Sequence, residues 1–271
     1  MKKLLAVLTV TLVVAASAGV RSAAAGPDAQ QARPQPWGAA EDALKATLSD
    51  VQASGVLGVQ AHVTDLESSL ANGDHPFGGS PAKHGETYVL ADGTAETLLV
   101  LSVAAAAQKQ GQPKGSVVAL DNPYPAIAVV LGSYYDEVGK PEEAVRVLDR
   151  GLALTSSKGT LGGAHLPILY AERGAALTAL NRWQDALDDY ESGLAVIDLA
   201  PRDNARLLRG KGFALTELGK LDLAEQAYRD SLKLDPENAI ATHELAYLAH
   251  LKSGGARAPT ALTIPGQSPK P

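Results

Sequence analysis

The chain contains no cysteine. That excludes disulfides, thiolate catalysis, cysteine-ligated zinc and a lipid anchor attached through cysteine, while leaving an oxidising compartment open. Positive charge is also short: 24 Lys and Arg face 30 Asp and Glu, for a net charge of −6. Binding nucleic acid electrostatically requires a basic face, so that partner class is not expected. There is no phosphate loop and no G-x-S-x-G, so nucleotide binding and serine-hydrolase chemistry have no motif to rest on. The six histidines, at 62, 75, 84, 165, 243 and 250, are scattered. None forms the close pair with a glutamate that a zinc hydrolase helix requires, and His243 with His250 lack a third ligand. The sequence therefore predicts no enzyme, no metal and no cofactor.

One apolar run, Leu4–Ala16, follows Lys2 and Lys3 and is interrupted only by threonine. That run is short for a membrane span. Small residues follow at Ala16–Ser17–Ala18 and at Ser22–Ala25. A basic head, a short apolar run and small residues are the layout of a secretory signal peptide over 1–25. Cleavage fits after Ala18 or near Ala24–Ala25, and an uncleaved N-terminal anchor is the alternative. Removal of Lys2, Lys3 and Arg21, with no acid among them, takes the charge from −6 to −9. The expected location is the periplasm or the cell exterior, with no stable membrane span once the signal is cleaved.

What the chain does contain is one pattern three times, over 125–154, 167–196 and 205–234. In register, the eighth place is Gly132, Gly174 and Gly212; the twentieth is Ala144, Ala186 and Ala224; the twenty-seventh is Gly151, Gly193 and Ser231. Large side chains hold the eleventh place (Tyr135, Leu177, Leu215) and the twenty-fourth (Leu148, Tyr190, Tyr228). Between the two runs of each copy stand Gly139, Asn181 and Gly219. Helices cross closely only where side chains are small, and large neighbours fill the groove. One such pair cannot bury its apolar faces alone, so pairs stack.

This pattern resembles the tetratricopeptide repeat family, whose 34-residue unit carries small residues at places 8, 20 and 27. The resemblance implies an all-α fold, a right-handed α-α superhelix of helical hairpins. Its repeats would lie near 125–158, 167–200 and 205–238, followed by a capping helix at 239–251, within a domain spanning 121–252. Residues 26–38 read as a disordered linker, and 253–271, rich in proline and glycine, as a disordered tail. Ser156–Ala164, an insert between repeats with three glycines, reads as a mobile loop.

Between linker and repeats, 39–120 reads as an α-rich N-terminal cap or a degenerate repeat region; periodicity leaves both open. Within it helices are expected over 39–53, about 63–72 and 94–110, with a β-leaning stretch at 87–90 that Asp92–Gly93 could turn into a hairpin. Leu98–Ala107 is almost wholly apolar or small, which predicts burial on most sides. Trp37 is expected to staple onto the first helix.

The resemblance also implies a concave face lined by places 2, 5, 9, 12 and 13. The candidate peptide-binding residues on it are Val129, Ser133, Asp136, Ala171, Ala175, Arg206, Arg209 and Phe213. That lining is acidic at one end, smooth in the middle, and basic with one aromatic at the other. Phe213 would anchor a peptide, and Arg206 or Arg209 would pair with a carboxylate. Some family members grip a C-terminal carboxylate with lysines and asparagines; Val129, Ser133, Ala171 and Ala175 depart from that pattern, so that mode is not expected. Arg173 and Lys211 replace a commoner leucine at place 7 and are expected to send their charges to water. The function implied is an exported scaffold binding an unknown protein or peptide in the cell envelope. The alternative is a structural, self-associating envelope protein, a homo-oligomer without a separate ligand.

Overall fold

The computed structural model describes residues 35–77, 86–109, 116–155, 165–196 and 199–257. The leader, most of the linker, the glycine-rich insert at 156–164 and the tail beyond 257 lie outside the described residues. The three repeats fold as antiparallel helix pairs: α4 (Tyr124–Glu137) with α5 (Pro141–Ala153), α6 (Leu166–Ala179) with α7 (Trp183–Leu194), and α8 (Pro201–Glu217) with α9 (Leu221–Leu234). Helix α10 (Ala239–Lys252) closes the stack against α9. The first helices α4, α6 and α8 touch in succession and form one layer; α5, α7 and α9 form the other. The architecture is a solenoid of helical hairpins.

Local chemistry explains the boundaries. Proline stands in the first turn of α4, α5, α6 and α8, where its missing N–H is not needed. The turn inside each repeat takes a left-handed residue at the same place: Gly139 at φ 74°, Asn181 at φ 58° and Gly219 at φ 75°. The next N–H then reaches back to the helix, from Lys140 to Tyr135 O at 2.8 Å, with Arg182 and Lys220 repeating the bond. Asn238 caps α10 by accepting from the Ala241 N–H.

The small places meet large ones as the spacing requires. A β-carbon added to Gly132 would lie 2.7 Å from Leu148, and one added to Gly174 would lie 2.7 Å from the Tyr190 ring. Gly212 stands in the same relation to Tyr228. Place 27 serves the joint to the next repeat: Gly151 abuts Ala128 and Leu169, and Gly193 abuts Leu207 and Tyr170.

Ahead of the repeats, α1 (Trp37–Ser54) runs into a 3-10 segment (Gly55–His62) and α2 (Val63–Ala71), which pack against α4. Trp37 is buried, but its staple reaches further than the first helix: its indole N–H donates to the Asp121 carbonyl at 2.8 Å. Residues 86–121 differ from the hairpin expectation. β1 (Glu86–Ala91) pairs in parallel with β2 (Ser116–Asp121), and α3 (Thr94–Lys109) connects them. Asp92–Gly93 thus leads into a helix instead of a returning strand. The expectation for α3 also fails, since Leu98, Leu99, Leu101 and Val103 are all exposed. Among the described residues the helix packs chiefly against the two strands, too little structure to surround it.

Two apolar clusters make up the core. The first joins Val51, Val56, Val59, Leu66 and Leu70 to α4, α5 and part of α6. The second joins the rest of α6 to α7, α8, α9 and α10. Helix α4 is buried all round, from Tyr124 to Ser133 without a break. The Arg257 guanidinium donates to the Thr216 carbonyl at 3.0 Å, at the open end of α8.

Candidate functional site

The inner layer places the eight sequence-derived residues along α4, α6 and α8, but in unequal settings. Val129 is wholly buried, in the same apolar cluster as Val51, Val56 and Val59 of the N-terminal segment. Ser133 and Ala171 are also buried. Asp136, Ala175, Arg206, Arg209 and Phe213 keep partial exposure. The accessible part of the inner face therefore begins at the C-terminal end of α4 and widens along α8.

A strip of charge crosses all three repeats there. Arg206 donates to Glu172 at 2.9 Å, and that carboxylate is nearly buried. Burial opposes the Arg206 charge, but Glu172 outweighs it and raises the guanidinium's pKa. Arg209 donates to Asp235 at 3.2 Å, yet burial and the neighbouring Arg206 leave its pKa lowered. Among the described residues Asp136 has no such partner. Its buried Oδ1 lacks a hydrogen bond, and burial, then repulsion from Glu172, push its carboxyl up to about 7 despite Arg206. Both arginines are thus already engaged with acids on the protein itself. Phe213 stands edge-on to Trp183, ring centres 6.1 Å apart, at the turn into α7.

Three contributors were not found from sequence. Glu172 sits at place 6, which the inward pattern skips; the only signal was a charge within the apolar start of α6. Asp235 reads as a helix stop, and Trp183, which opens α7, carries no sequence signal of its own. Arg173 differs from expectation outright. Its guanidinium does not reach for water but grips Asp189 with two bonds, of 2.8 and 2.5 Å, and also bonds Asp149 of the preceding repeat. It lies 5.8 Å from the Tyr170 ring centre as well. Burial opposes its charge, but the two carboxylates raise its pKa. Lys211 likewise pairs with Glu191 at 2.8 Å.

A cleft of about 610 Å³ opens elsewhere, between α2 and α5, lined by Glu67, Leu70, Arg146 and Arg150 among others. Its charges are paired across the seam. Arg146 bonds Glu67, and Arg150 takes Asp74 with both ends of its fork and the Leu70 carbonyl with its Nε. This seam docks the N-terminal segment onto the first repeat. Among the described residues no three His, Asp or Glu side chains converge as a metal-ligand set, and no helix is long and apolar enough to cross a membrane.

Comparison with known proteins bears on the fold. No curated protein matches the chain. The first TPR domain of human RPAP3 is 24% identical over 48% of this chain and 94% of that one, with a TM-score of 0.42. The first TPR of Spaghetti (RPAP3), bound to the HSP90 peptide SRMEEVD, is 24% identical over 49% and 99%, with a TM-score of 0.43. The family model of the tetratricopeptide repeat matches residues 205–238, the third repeat and its closing turn. The chain thus carries a tetratricopeptide repeat at 205–238 and has the helix-hairpin fold of that family.

Proposed function

We propose that this protein is an exported scaffold of the cell envelope that binds a peptide or protein partner along its inner face. The observation that carries this reading is the charged strip from Asp136 through Glu172 and Arg206 to Arg209 and Asp235, flanked by Phe213 and Trp183. It runs across three repeats, and all of it but the nearly buried Glu172 is partly exposed, so an extended chain laid there meets charge of both signs and an aromatic edge. Export is supported by the basic, apolar, small-residue order of 1–25.

The test is crosslinking capture in the periplasm with the full chain, compared with Phe213→Asp and with Arg209→Glu. Arg209 is the better charge to reverse, because Asp235 is well exposed and relaxes away. Reversal at Arg206 would set a new acid against the nearly buried Glu172 and threaten the fold. Capture of a partner should weaken by about tenfold or more in both variants, with circular dichroism unchanged. Equal capture by all three chains refutes the inner-face site.

A further inference from the structure

The sequence expects the inner-face arginines to meet a partner's carboxylate, but the fold commits both of them internally: Arg206 to Glu172 and Arg209 to Asp235. The group left without a counter-charge is Asp136. Among the described residues it forms no ion pair, and its Oδ1 is buried without a hydrogen bond. An ionised carboxyl is costly to bury alone, and Asp136 responds by holding its proton up to about pH 7.

A second polar group stands unsatisfied one repeat on. Thr178 holds place 12 of its repeat, as Asp136 does of the repeat before, and the helices that carry them, α6 and α4, pack together. Thr178 is 9% exposed, and its Oγ1 has no hydrogen-bond partner. The third copy of this place shows the ordinary outcome: Thr216 donates to the Gly212 carbonyl one turn back, at 2.9 Å. Thr178 makes no such bond to Gly174. The Tyr190 phenol ties the two groups to one neighbourhood. Burial raises its pKa to about 12, Thr178 and Arg206 oppose the rise, and Glu172 and Asp136 add to it. Thr178 stands beside that phenol but outside hydrogen-bond geometry. Buried polar groups without a partner are rare in native proteins, and here two from successive repeats lie near one ring hydroxyl.

We propose that Asp136 and Thr178 form a cation subsite of the inner face, which receives a lysine or arginine side chain of the bound partner. The inference rests on the inner-face reading above and gives that partner its chemistry. Both oxygens accept hydrogen bonds, and an ammonium or guanidinium supplies several donors and no acceptor. A carboxyl turns about a broad torsion, so Oδ1 can swing towards the arriving cation. Charge complementarity points the same way. Arg206 serves three carboxylates at once, Glu172, Asp203 and Asp136, with only Arg202 helping at Asp203. An arriving cation evens that balance, whereas an arriving carboxylate worsens it.

The test is selection from a displayed library of random decapeptides on the full chain, at about pH 8 where Asp136 is ionised. Phe213→Ala is the control, since it removes the aromatic edge of the inner face without adding charge. Peptides that bind the wild-type chain but not Phe213→Ala should be enriched in lysine and arginine. Fluorescence anisotropy then measures the tightest of them. Asp136→Asn should weaken it at least about tenfold, and Thr178→Val about threefold. Replacing the peptide's basic residue by norleucine should cost as much with the wild-type chain and nothing further with Asp136→Asn, the coupling of a direct contact. Asparagine keeps the shape of aspartate and removes a buried charge, so this variant does not threaten the fold. Three results overturn the subsite and leave the inner-face reading standing. They are Phe213-dependent peptides that are acidic or neutral, equal binding by Asp136→Asn, and a norleucine loss of the same size with both chains. A selection that yields no Phe213-dependent peptide overturns both.

Discussion

Asp136 is the residue whose environment most alters its chemistry. An ordinary aspartate ionises near 4, but burial and Glu172 hold this one up to about 7 in the folded chain. Between those values the folded state keeps a proton that the unfolded state has lost. Stability from this group is therefore full below about pH 4 and declines as pH rises towards 7. Three units correspond to at most about 4 kcal/mol. Asp136→Asn should raise the melting temperature at pH 8 and change it little at pH 5; thermal melts at the two pH values check this. His165 has the opposite sign, since burial lowers its pKa to about 4 and its contribution is lost as pH falls from about 6.5. Arg173 supplies the other residue-scale prediction. Asp189 is 6% exposed on its side chain and depends on that guanidinium. Arg173→Ala should cost about 3–5 kcal/mol, whereas an apolar pair, Arg173→Leu with Asp189→Leu, should recover much of it. Urea denaturation of the single and double variants measures both. A double variant no more stable than Arg173→Ala would show that the ion pair is not the cause.

At the scale of the element, the repeat pattern is a list of close approaches. The Tyr190 ring is met by Gly174 of its own repeat and by Gly210 of the next, where an added β-carbon would lie 2.4 Å away. Gly174→Ala should destabilise the chain by about 1–3 kcal/mol through overpacking, although alanine is the better helix former. An increase in melting temperature would show that the ring yields freely. Gly174 was legible in the sequence because it recurs at place 8; Gly210 was not, because it serves a joint specific to one pair of repeats. The same division applies to the site. The family resemblance named Asp136, Arg206, Arg209 and Phe213, which keep partial exposure on the inner layer. It also named Val129, which lies buried in a cluster with the N-terminal segment. A repeat pattern specifies which way a side chain points, not what another part of the chain lays over it.

The whole molecule is a linear stack with its core in two clusters, which share α6 and Val145. In such a stack each pair is held by its neighbours alone, so the ends open before the middle. Hydrogen exchange should be slowest in α4, buried from Tyr124 to Ser133, faster in α10, and fast in α3, which among the described residues packs chiefly on two strands. Exchange in α10 as slow as in α4 would mean that the stack opens as one unit instead.

The sequence by itself determined the repeats, their turns and the first-turn prolines. Each of these is decided within about 34 residues, by small side chains at crossings and by backbone geometry at Gly139, Asn181 and Gly219. The tertiary structure alone decided the rest: the parallel pairing of 86–91 with 116–121, the exposure of α3, the burial of Val129 and the engagement of Arg173 with Asp149 and Asp189. Composition marks a segment as apolar or charged, but its cover and its partner come from residues distant in the chain, and their arrival depends on how the stack is assembled.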